Sequence, residues 1–89
     1  MLSNIKNKDL YVKVKNKYDV FIIFTKEYSL SGEIKDEVSR LKNIDKESIR
    51  LFYNTKRLIE DKYTNHDQQI DHRSILYACF KLGIFLIKF

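Results

Sequence analysis

The sequence predicts a small α+β domain, and three stretches carry that prediction. Residues 10–15, LYVKVK, alternate strictly between apolar and polar, which is the period of a half-buried strand. Residues 31–43 set Ile34, Val38 and Leu41 at helical spacing behind a serine, giving one apolar stripe on an amphipathic helix. Residues 48–54, SIRLFYN, are dense in β-branched and aromatic side chains, and as a strand they turn Ile49, Leu51 and Tyr53 to one face and Arg50 and Phe52 to the other.

Residues 1–9 are polar apart from Met1, Leu2 and Ile5 and read as a flexible N-terminal arm. In the first strand Leu10, Val12 and Val14 point inward, with Tyr11, Lys13 and Lys15 outward. Asn16-Lys17 suits a tight turn, and Val20–Phe24 forms a second strand with Val20, Ile22 and Phe24 inward. Ser31 is the expected N-cap, and Glu33 places a negative charge in the first turn, where the helix dipole favours it. Asn43 ends the helix, and Ile44 returns to the core. After the central strand, Asn54-Thr55-Lys56 makes a turn and Arg57-Leu58 a short return strand that buries Leu58 beside Leu51. In the polar loop that follows, Thr64 and Asp67 have the spacing of a cap and a first-turn acid, and Ile70 points inward. Ile75–Lys81 is the last strand, pairing with residues 48–54. It has Leu76, Ala78 and Phe80 inward and Tyr77, Cys79 and Lys81 outward. Residues 83–89, GIFLIKF, are an apolar tail too short to cross a bilayer. It is expected to extend the last strand, to cover apolar surface or to join two copies.

At 89 residues the chain has room for one domain. Its 44% apolar and 33% charged residues are those of a globular protein rather than a disordered one. The single cysteine, Cys79, excludes an internal disulfide and a zinc-binding cysteine pair, and this suits a reducing compartment. No apolar run behind a basic start marks a secretory signal, so cytoplasm or nucleus is expected. The net charge of +5 comes with lysines far outnumbering arginines in a chain rich in Asn, Ile and Tyr and without Pro or Trp. Such lysines read first as a solvated surface.

Little here suggests catalysis. His66, Asp67, Asp71 and His72 are close in sequence but match no metal-ligand spacing. Cys79 with either histidine lacks the oxyanion-binding element a nucleophile needs. Gly32 and Gly83 are the only glycines, so there is no phosphate loop. No enzyme, metal or cofactor is expected.

Arg50, Leu51, Phe52, Tyr53, Lys56, Leu58 and Asp61 follow a single helix in the order R-L-x-(apolar)-x-G-K-x-L-x-D, and in this the chain resembles the ubiquitin-like family. With Ile59 taken as a one-residue insertion, Glu60, Asp61, Thr64, Asp67, Ile70, Ser74 and Leu76 continue the match. Departures are Thr55 and Lys62 where glycines are usual, Asn65 for a buried leucine and Gln68 for a tyrosine. The resemblance implies a ubiquitin-like β-grasp: a mixed sheet with one helix packed across it, spanning residues 10–82 between the arm (1–9) and the tail (83–89). It also implies a hairpin without the exposed loop leucine of ubiquitin.

The strand phases place Phe52, Tyr77 and Cys79 outward on neighbouring strands, flanked by Arg50, Lys56 and Lys81. In ubiquitin-like proteins the corresponding positions form an apolar patch with a basic rim that binds partner proteins, which implies an adaptor for ubiquitin-pathway or ligase-complex components. Non-conjugated members such as elongin B act in this way. No Gly-Gly occurs in the chain, so the resemblance does not extend to a conjugation donor. A second surface, Lys13, Lys15 and Lys17, gives the alternative: a basic stripe for nucleic acid or acidic surfaces.

Overall fold

The computed structural model describes residues 6–82 and 85–87. Residues 1–5 of the N-terminal arm and, in the tail, Gly83, Ile84, Lys88 and Phe89 lie outside the described residues. The elements are β1 (Asp9–Lys15), β2 (Val20–Lys26), α1 (Gly32–Lys42), a 3-10 turn (Lys46–Ser48), β3 (Ile49–Tyr53), β4 (Arg57–Leu58), β5 (Ile75–Leu82) and β6 (Phe85–Ile87). The sheet runs β2-β1-β5-β3-β4, with β6 pairing onto β5 off this path. β1 and β5 are parallel and the other pairings antiparallel, so the sheet is mixed, as the β-grasp requires.

Leu10, Val12 and Val14 are buried as their alternation predicts, and so are Ile49, Leu51, Leu76, Ala78 and Phe80. Ile34 and Val38 close the core from α1. β2 reverses the expected phase: Phe24 is 79% exposed, Val20 and Ile22 are also exposed, and Ile23 is buried with Phe21 packed against the core. The β1–β2 register explains this, since Val12 lies opposite Ile23 and Val14 opposite Phe21, and residues directly opposite across a ladder share a face. The turn between these strands is tight, as expected, but centred one residue later, on Lys17-Tyr18, and closed by the Asn16 amide donating to the Asp19 carbonyl at 2.9 Å.

Leu58 is a second correction. It is 49% exposed, while Ile59 is 3% exposed and joins the core. Leu58 pairs with outward Phe52, and the Ile59 amide bonds to the Leu51 carbonyl at 2.8 Å. Ile59 thus takes the place expected of Leu58, and the residue added relative to the family pattern falls ahead of it. Within the turn, Thr55 has φ 63°, the left-handed conformation that the family's glycine accommodates without strain.

Asn43 ends α1 in the left-handed conformation at φ 55°, as a helix C-terminus commonly does. Leu41, expected in the apolar stripe, lies exposed on the last turn, and Ile44 packs against the core after the reversal. Ser31 stands at the N-cap position but makes no side-chain cap bond. The first amides are met by the following loop instead: Ser31 N–H donates to the Tyr63 carbonyl at 2.8 Å and Gly32 N–H to that of Asp61 at 3.1 Å. A Cβ on Gly32 would come within 3.0 Å of Asp61, so this close approach needs glycine. Lys35 on α1 holds the Asp61 carboxylate at 2.9 Å.

The two polar departures in this loop are satisfied internally. Buried Asn65 accepts from the Ser31 hydroxyl at 2.7 Å, and its amide donates to the Lys26 carbonyl at 2.8 Å and to the Thr25 hydroxyl at 3.1 Å. Buried Gln68 accepts from the Glu60 amide and donates to the Glu60 carbonyl, both at 2.8 Å. Asn65 therefore ties β2, the start of α1 and the loop together. Asn65→Ala is expected to cost about 1–3 kcal/mol in denaturant unfolding, because it strands buried polar groups. A variant as stable as the parent would show that the network contributes nothing.

Candidate protein-interaction face

The outer face of the sheet, opposite the helix, holds the residues that strand phase marked for binding. One row crosses it from edge to edge. Leu58 on β4 lies opposite Phe52 on β3, Phe52 opposite Tyr77 on β5, Tyr77 opposite Lys15 on β1, and Lys15 opposite Val20 on β2. To one side of it Arg50 lies opposite Cys79. To the other, Ile75, Lys13 and Ile22 form a second row, and beyond that Tyr11 pairs with Phe24, their rings edge-on at 6.4 Å.

Phe52 and Tyr77 are half-buried, and Arg50, Lys56 and Lys81 are exposed around them. Cys79 differs from the expectation: its phase is outward but it is only 5% exposed, a short side chain in mid-sheet opposite the long Arg50. It is unpaired and buried and adds little area to the face. The rows through Arg50, Phe52 and Ile75 contain no carboxylate. Among the described residues, Lys13, Lys15, Arg50, Lys56 and Lys81 make no ion pair, so their charge is directed to solvent.

The patch and the lysine stripe, separate surfaces in the sequence, are one surface in the fold. Lys15 neighbours Tyr77 and Lys13 neighbours Ile75 through the parallel β1–β5 pairing. Lys17 departs from them into the hairpin loop, its ammonium 5.5 Å from the centre of the Tyr18 ring. Leu58, Val20 and Ile22 enlarge the apolar component. Sequence reading missed them because it turned all three inward.

The histidines are drawn to different partners. His66 Nδ1 lies 3.2 Å from Glu27 Oε2, with its ring against Tyr28. His72 Nδ1 accepts from the Tyr11 amide at 3.2 Å, its ring edge-on to that of Tyr11 at 4.6 Å. No cluster of three or more potential metal ligands occurs among the described residues, nor is any helix there long and apolar enough to cross a membrane.

No family model and no curated protein matches the chain. Solved structures do. The N-terminal ubiquitin-like domain of the 4931431F19Rik protein superposes with a TM-score of 0.78 at 18% identity, over 90% of this chain and 82% of that one. At2g32350 of Arabidopsis thaliana superposes with a TM-score of 0.77 at 19% identity, over 83% of this chain and 88% of that one. At such identities the likeness speaks for the fold alone, and the fold is the ubiquitin-like β-grasp.

Proposed function

We propose that this protein is a non-catalytic interaction module, an adaptor that docks partner proteins of ubiquitin-pathway or ligase assemblies on the outer face of its sheet. The row Leu58-Phe52-Tyr77-Lys15-Val20 carries the reading. Apolar and aromatic side chains ringed by solvent-directed cations suit a protein surface with an apolar anchor and acidic margins. Arg50, Lys56 and Lys81 form the rim, and Cys79 supports the patch from beneath. The module is a folded unit over residues 10–82, and the compartment that fits its unpaired cysteine is the cytoplasm or nucleus.

Affinity capture with the wild-type protein beside a Phe52→Ala/Tyr77→Ala variant tests the proposal. Phe52→Ala alone is expected to weaken the captured partner by about 1–3 kcal/mol, the scale of an interfacial aromatic anchor. Because Lys13 and Lys15 belong to the same face, changing both to Gln is expected to slow association while leaving the complex in place. Capture that survives loss of both aromatics, with a ligand that is RNA or DNA and an affinity falling steeply with salt, would replace the adaptor reading with the nucleic-acid one.

A further inference from the structure

β2 ends the sheet, and its free edge is built for strand addition. The antiparallel ladder is bracketed by the Asn16 amide to the Asp19 carbonyl and the Glu27 amide to the Lys8 carbonyl, both at 2.9 Å. In the observed register these bonds give residues 21, 23 and 25 to β1. Alternation then turns the backbone N–H and C=O groups of Val20, Ile22 and Phe24 to the outside. The same three residues carry the exposed apolar side chains of the outer face. Between Val20 and Thr25 the strand has no lysine, proline or acidic residue, the devices by which edge strands usually discourage pairing.

We propose that this edge pairs with the β2 edge of a second copy, antiparallel about a two-fold axis through Ile22. That register sets Ile22 opposite Ile22 and Val20 opposite Phe24 in both directions. Each is a pair whose free amides and carbonyls face one another, so hydrogen bonding and apolar contact fall in the same phase. At the end of the strand the register sets Asp19 against Thr25, while Lys17 and Tyr18 turn back into the hairpin loop and lie outside the paired segment. No like charges are opposed within that segment. A two-fold contact requires a self-complementary patch, and β2 is one. The inference does not rest on the adaptor reading: Val20 and Ile22 border that face, but pairing runs through the backbone edge of β2 and not through Phe52 or Tyr77.

Sedimentation velocity on the full chain, up to about 1 mM, tests it. Wild type is expected to show a reversible monomer–dimer equilibrium that tightens with added salt, as screening relieves repulsion between two chains of net charge +5. Ile22→Lys places two ammonium groups at the axis and is expected to raise the dimer Kd by at least about thirtyfold. Ile22→Pro removes an amide that points away from β1, so it blocks pairing while sparing the intramolecular ladder. Circular dichroism melts establish that both variants fold. Phe24→Lys is expected to weaken the dimer and the added Val20→Glu, opposite it in both directions, to restore it, a readout that needs neither Ile22 variant. A wild type that stays monomeric over the whole range overturns the proposal, and so does a dimer unaffected by the Ile22 variants or one that Phe24→Lys leaves untouched.

Discussion

Phe80→Ala is expected to destabilise the protein by about 3–5 kcal/mol, the usual cost of removing a buried aromatic ring, while Phe24→Ala shifts stability by less than about 0.5 kcal/mol, as exposed substitutions do. Phe80 is fully buried on β5, opposite Ile49 of β3 and within the core that Ile34 and Val38 close from the helix. A domain of this size has little packing redundancy, since it buries only about two thirds of the surface of its unfolded chain. Its whole stability should be of the order of 5–10 kcal/mol, so the Phe80 variant stands near the unfolding threshold. In thermal melts the loss corresponds to a fall in Tm of roughly 15 °C or more. Phe24 is the decisive control, because its alternation with Val20 and Ile22 predicted it inward, and equal losses at the two positions would restore that phase.

The second large effect separates two adjacent residues. Ile59→Ala is expected to cost about 2–5 kcal/mol, because it opens a cavity among the core residues it touches. Leu58→Ala should cost less than about 1 kcal/mol, since nearly half of that side chain already meets solvent. Urea unfolding of the two variants beside the parent measures the difference directly. The opposite order, with Leu58 the costly position, would mean that β4 pairs with β3 one residue out of register, a slip that exchanges the two faces.

Legibility along the chain followed local pattern. β1 alternates, so its buried face could be read directly. β3 and β5 could be phased because charged or polar residues interrupt their apolar positions on one side. VFIIF has no such interruption: every residue from Val20 to Phe24 is apolar, and either face could be the buried one. The same ambiguity affected Leu58-Ile59, two apolar neighbours of which a strand can bury only one. In both places the partner strand decided, through the opposition of Val12 to Ile23 and of Phe52 to Leu58.

The candidate face was legible in its members and illegible in its extent. Phase alone turned Phe52, Tyr77 and the lysines outward, but their adjacency depends on β1 lying parallel beside β5, a contact between segments some sixty residues apart in the chain. By itself the sequence determined the element order, the inward faces of β1, β3 and β5, the helix and its end at Asn43, and the likeness to the ubiquitin-like fold, because each of these is a property of local spacing or of a short motif. Only the tertiary structure decided which face β2 buries, that Ile59 rather than Leu58 is the anchor, that Cys79 is shielded, and that patch and lysines share one surface. Those outcomes are set by strand register and by loop-to-helix closure at Gly32 and Asn65, and the residues involved carry no mark of their partners.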